Sequence, residues 1–171
     1  MLELLATGSL LGFTKDKHLR RKLWKDADRI WYEIDRRQLY RFLERLHLKQ
    51  YIEFIKARDG VEKARITNKG KARFLELQFK NLVLQKPKKW DRRWRLVLFD
   101  IPESKKKIRD ALRRKLKELG FLEFQKSVFV YPYPCRDEMN FVINFWNIAD
   151  CVYYLEASID VDHNLRKRFH L

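Results

Sequence analysis

The stretch Trp90-Asp91-Arg92-Arg93-Trp94-Arg95-Leu96-Val97-Leu98-Phe99-Asp100-Ile101-Pro102-Glu103 reads as a buried strand that ends on an acidic residue. Arg95 to Phe99 contain a short apolar run rich in β-formers. Ile101-Pro102 stops it, because proline has no N–H to give a sheet ladder. Asp100 therefore falls where strand meets loop. A carboxylate in that place has two readings: a metal-binding or catalytic group, or a residue that caps a helix or orders the loop.

Downstream of this strand, Lys105 to Leu119 place Ile108, Ala111, Leu112, Leu116 and Leu119 on one helical face, with Gly120 as the C-terminal stop. The outer face is basic: Lys105, Lys106, Arg109, Arg113 and Lys117. Phe121 to Tyr131 is strand-rich but broken near Gln125 to Ser127, and Pro132 and Pro134 end it. Asp137 to Asn147 has helical spacing of Phe141, Val142, Phe145 and Trp146, and Asp150 to Ala157 gives a last strand. The order is βαββαβ, which predicts a ferredoxin-like sandwich of one antiparallel sheet covered by two helices. A short basic tail, Arg166-Lys167-Arg168, follows.

Upstream, Leu39, Phe42, Leu43 and Leu46 form the stripe of an amphipathic helix from about Arg36 to Lys49, with Asp35 as a suitable N-cap. Its other sides carry Arg36, Arg37, Gln38, Tyr40, Arg41 and Arg45. Ile52 to Lys56 and Val61 to Ile66 read as two strands around a turn whose Asp59-Gly60 is a hairpin signal, and a helix starts near Thr67. Leu2 to Phe13 reads as a first core helix, too short to span a bilayer. Residues 18–34 read as one or two short helices.

The chain has 171 residues, 46% of them apolar and 14% aromatic, enough for a packed core despite 36% charged residues. The formal net charge is +16, and residues 1–89 hold 23 of the 39 basic but only 11 of the 23 acidic residues. A surplus of that size attracts polyanions and makes binding salt-dependent, so nucleic acid is the expected partner and no membrane is called for. Cys135 and Cys151 form no C-x-x-C pair, and His18, His47, His163 and His170 add no ligand spacing, so neither structural zinc nor a disulfide framework is expected. A reducing, cytoplasmic setting is the default.

The order of helices, basic helix, hairpin and a helix opened by Ile66-Thr67-Asn68-Lys69-Gly70-Lys71 resembles bacterial winged helix-turn-helix regulators, in which an L-T-x-K-G step commonly leaves the wing; here Ile66 replaces the leucine. The resemblance implies that the helix before the wing enters the major groove of double-stranded DNA while the wing touches phosphates or the minor groove. Arg36, Arg37, Gln38, Tyr40, Arg41 and Arg45 would then make base-edge and phosphate contacts, and Lys56, Arg58, Lys63 and Arg65 wing contacts.

"WDRRWRLVLFDIPE", "IRDALRRKLKELGF" and "QKSVFVYP", in that order and spacing over about residues 90–157, resemble the central domain of the PaaX repressor family, itself similar to the CRISPR-associated protein Cas2. The fold class expected is therefore α+β: a winged-helix DNA-binding domain over 1–84, a basic linker over 85–92, and a Cas2-like ferredoxin-fold domain over 93–171. The resemblance implies a DNA-binding transcriptional regulator that dimerises through the Cas2-like domain and needs no cofactor. PaaX repressors usually continue into a C-terminal region associated with effector response. No such region follows Leu171 here, so recognition of a phenylacetyl-CoA-type ligand is not expected. Asp100 matches the strand-end aspartate that Cas2 nucleases present in pairs to a divalent metal. The alternative is accordingly a Cas2-like Mg²⁺- or Mn²⁺-dependent nuclease, or a DNA-holding subunit acting with a CRISPR integrase.

Overall fold

The computed structural model describes residues 11–13, 36–56 and 62–171. The expected helices over 18–34, the Asp35 cap, Arg58 and the Asp59-Gly60 turn lie outside the described residues, as do most of the residues expected to form the first helix. The chain divides into two compact units, residues 1–78 and 79–171.

In the first unit, helix α1 (Arg36–Leu48) buries Leu39, Leu43 and Leu46, with Phe42 half-buried beside them. The apolar stripe of the sequence is thus the face that packs. Strands β2 (Ile52–Lys56) and β3 (Glu62–Ile66) pair antiparallel, with Ile52 opposite Ile66 and Phe54 opposite Ala64. Ile52 and Ala64 complete the core against α1. A third strand, β1 (Leu11–Phe13), joins the outer edge of β3 in antiparallel register. This corrects the helix expected over Leu2 to Phe13: at Leu11–Phe13 the backbone hydrogen-bonds to a neighbouring strand instead of to itself. A glycine at the centre of those three residues also disfavours a helix.

Helix α2 runs over Asn68–Lys80. Its start is fixed to the residues before β2. The Thr67 amide donates to the Tyr51 carbonyl at 3.0 Å, the Thr67 hydroxyl donates to the Gln50 carbonyl at 2.7 Å, and the Gly70 amide donates to the Thr67 hydroxyl at 3.0 Å. Gly70 is required there because a Cβ would lie 2.0 Å from the Tyr51 carbonyl oxygen.

The second unit has the order β4 (Trp94–Phe99), α3 (Lys106–Glu118), β5 (Leu122–Gln125), β6 (Val128–Tyr131), α4 (Arg136–Phe145), β7 (Val152–Ala157). The four strands form one antiparallel sheet in the order β5-β6-β4-β7. The opening stretch is therefore a central strand, and the βαββαβ order closes into the ferredoxin-like arrangement expected from the sequence.

One face of that sheet holds the main core. Val97, Phe99, Phe129, Tyr131 and Val152 meet Leu112 and Leu116 of α3 and Met139, Val142 and Ile143 of α4. Gly120 ends α3 with φ +92°, a conformation that suits glycine alone among ordinary residues. At the edge of this core Phe79 stacks on Phe145 with centroids 4.2 Å apart, and the ammonium of the buried Lys115 lies 4.9 Å from the Phe79 ring centre.

The opposite face is covered in part. Trp94, Val130 and Leu165 are buried there, with Trp90, Leu96, Leu122 and Phe169 packed around them. Leu165 and Phe169 belong to a final helix, α5 (His163–Phe169), which corrects the reading of residues 166–168 as a mere tail. Further along the same face Phe124, Tyr153 and Leu155 remain exposed.

Candidate nucleic-acid interface

Helix α1 turns its polar side outward. Arg37, Arg41 and Arg45 recur every four residues, which on an α-helix sets them within about one quadrant, opposite Leu39, Leu43 and Leu46. Arg37, Gln38, Tyr40, Arg41 and Arg45 are all exposed, Tyr40 at 43%. Glu44 is exposed among them. The Arg45 Nε donates to the Arg41 carbonyl at 3.3 Å, which lays its side chain along the helix. Arg36 is the first residue of α1.

Among the wing residues expected from the sequence, Lys56 ends β2, and Lys63 and Arg65 lie on β3. Alternation along a strand puts Lys63 and Arg65 on one face and the buried Ala64 on the other, so both basic side chains turn away from the core. Arg65 is not a free cation: its Nε donates to Glu53 Oε1, its cross-strand neighbour, at 2.7 Å. At about half exposure for both partners, this pair is worth a fraction of a kcal/mol. The first unit thus brings together one row of arginines on a helix and two basic residues on an adjoining hairpin.

In the second unit Asp100 sits immediately after β4, as expected, and is exposed. Its amide donates to the Cys151 carbonyl at 2.9 Å, which fixes the backbone at the end of the strand. No group of three or more His, Cys, Asp or Glu side chains suited to a metal occurs among the described residues. The Cys135 thiol is buried, which pushes it up to about 11, too high to supply a thiolate nucleophile or metal ligand at neutral pH.

The sequence alone does not single out one charged group of the opening stretch. Arg95 is 3% exposed at the start of β4. Its Nη1 donates to Asp91 Oδ1 at 2.6 Å, to the Arg93 carbonyl at 2.8 Å and to the Pro132 carbonyl at 2.9 Å, and its Nη2 donates to Asp91 Oδ2 at 2.5 Å. The forked hydrogen bonds from Arg95 hold the Asp91 carboxyl down at about 2. This clamp fastens the turn at Asp91 to Arg93, where Arg92 has φ +62°, against the end of β6. Alternating apolar residues mark a strand but not the carbonyl of Pro132, which only the folded sheet brings alongside.

No helix among the described residues is long and apolar enough to cross a membrane. No curated protein matches the chain. Residues 87–168 match the family described as the PaaX protein central Cas2-like domain, a span that contains the whole four-stranded sheet and its helices. These residues are therefore a domain of the PaaX central, Cas2-like type.

Proposed function

We propose that the chain is a cytoplasmic, DNA-binding transcriptional regulator of the PaaX-like type. In this reading the first unit is a winged helix, α1 is its recognition helix and the β2–β3 hairpin is its wing. The Cas2-like domain joins two copies. The observation that carries the proposal is the outward row Arg37, Arg41 and Arg45 on a helix whose other face is buried, followed directly by strands that carry Lys63 and Arg65, in a chain whose residues 87–168 match the PaaX central Cas2-like domain. An α-helix fits the major groove, and guanidinium forks read guanine edges or hold phosphates. Gln38 and Tyr40 would add contacts beside that row and Lys63 and Arg65 would reach the flanking backbone, while Arg36, Lys56 and Arg58 are assigned to these contacts from the sequence alone.

A symmetric dimer would cover the apolar patch left by Phe124, Tyr153 and Leu155, and would place two recognition helices on a palindromic site. The test is duplex binding by Arg37→Ala/Arg41→Ala. Affinity should fall roughly tenfold or more, since each bidentate pairing of a guanidinium with a base is worth about 1–3 kcal/mol. Unchanged affinity and salt dependence would remove α1 from the interface.

The exposed carboxylate of Asp100, with no ion-pair partner among the described residues, favours a second reading as a Cas2-like nuclease or a subunit working with a CRISPR integrase. Two such carboxylates across a dimer would hold Mg²⁺ or Mn²⁺. That reading requires metal-dependent cleavage abolished by Asp100→Asn.

A further inference from the structure

Two basic segments far apart in the sequence are clamped together in the second unit. The ring of Trp90 lies 4.9 Å from that of the buried Trp94, and its Nε1 donates to the Arg93 carbonyl at 3.1 Å. From α5, the guanidinium of Arg166 covers Trp90 at 5.1 Å, and the Phe169 ring lies 5.7 Å from Trp94. The Trp94 Nε1 donates to Asp162 Oδ2 at 3.1 Å, and Arg166 Nε donates to Asp162 Oδ1 at 2.9 Å. Through these interactions Lys88, Lys89 and Arg92 before β4 share one region with Lys167 and Arg168 at the end of α5. All five are exposed, and none has a carboxylate partner among the described residues.

The acids nearby are already engaged. Asp91 is bound by Arg95, Asp162 by Arg166, and Glu156 lies 4.0 Å from Arg93 and 3.5 Å from Arg136. Asp160, exposed in the loop before α5, is the exception. The cations of this surface therefore act largely uncompensated. Stable seating on an anionic membrane adds an inserted apolar face to the charge attraction, and α5 turns both its large apolar residues, Leu165 and Phe169, inward, which favours a nucleic-acid polyanion.

We propose that this surface, built from residues 88–92 and the C-terminal end of α5, is a second binding surface for duplex DNA that grips the phosphate backbone without reading sequence. It deepens the DNA-binding reading and rests on it, but uses residues wholly outside α1 and the hairpin. Lysines on short exposed segments suit phosphates, which need charge more than a fixed fork.

The experiment compares the whole chain with Lys88→Ala/Lys89→Ala/Lys167→Ala on a fluorescent mixed-sequence duplex across a series of KCl concentrations. Each phosphate that the protein no longer neutralises takes about 0.9 off the slope of log K against log salt. The triple variant should bind on the order of tenfold more weakly at moderate salt, with the slope shallower by about 2–3. Lys105→Ala/Lys107→Ala/Arg114→Ala, which removes the same charge from exposed positions on and before α3, should bind as the wild type does. Unaltered binding by the first variant, or an equal weakening in both, overturns the proposed surface. If Arg37→Ala/Arg41→Ala weakens binding while the triple variant does not, the surface fails and the recognition helix stands. If the triple variant alone is weak, the reverse holds. A wild type that ignores every duplex but binds phosphatidylserine vesicles would overturn both.

Discussion

Asp91 and Arg95 show how one charged pair secures the strand on which the second unit is built. Arg95 is buried and Asp91 is partly exposed, so removing the carboxylate leaves a guanidinium with two backbone carbonyls and no counter-charge. Asp91→Asn should cost about 2 kcal/mol in urea unfolding, less than a fully buried pair because water reaches the site. The pair also sets a pH dependence. The carboxyl of Asp91 lies at about 2 in the fold against an ordinary 3.8, so the unfolded chain binds the proton more readily. The stability it contributes is complete above the ordinary value and is lost as pH falls from about 4 towards 2. An unfolding series over that window should show a steeper decline for the wild type than for Asp91→Asn/Arg95→Met. Coinciding slopes would show that the pair is not formed. Neither residue's role was legible in sequence. Arg95 interrupts an apolar strand like any solvent-facing arginine, and what distinguishes it, the Pro132 carbonyl, arrives from β6 only on folding.

Local elements were far more legible, because periodicity and turn chemistry are properties of the chain itself. The stripe at Leu39, Phe42, Leu43 and Leu46 packs as expected. The break near Gln125 to Ser127 does separate β5 from β6, and Gly120 does end α3. The elements that escaped were short ones that owe their form to neighbours. Leu11–Phe13 is a strand because β3 has an edge to pair with. Helix α5 has only Leu165 and Phe169 as an apolar signal and forms where Trp94 and Val130 leave a surface to cover. Gly70 provides a sharper test of how α2 is seated. Gly70→Ala drives a methyl into the Tyr51 carbonyl, a backbone atom that cannot swing aside. It should destabilise the first unit by about 3 kcal/mol or more, whereas alanine at an exposed helix interior ordinarily stabilises. Thermal melts of the two proteins decide it, and a melt equal to the wild type would refute the seating of α2 on Tyr51.

The molecule as a whole joins a domain of the PaaX central, Cas2-like type to a basic unit whose proposed role is to read DNA. The likeness to that domain was legible because the segments at 90–103, 108–121 and 125–132 keep their order and spacing across a complete βαββαβ fold. The proposed reading role rests on the charge of the first unit and on which side of α1 is buried, and charge alone does not determine which base is read. The proposed association of two copies would make a separate demand on the outer face of the sheet. Leu155→Asp should shift the mass measured by light scattering from dimer towards monomer, while an unchanged mass would place the dimer interface elsewhere. The central claim is most directly tested by selecting bound sequences from a pool of random duplexes with the wild type and with Arg37→Ala/Arg41→Ala. The account predicts that the wild type enriches a palindrome with two half-sites and that the variant loses this enrichment while keeping weak, salt-sensitive binding. Uniform recovery of all sequences by the wild type, or the same enriched palindrome from both proteins, would contradict it.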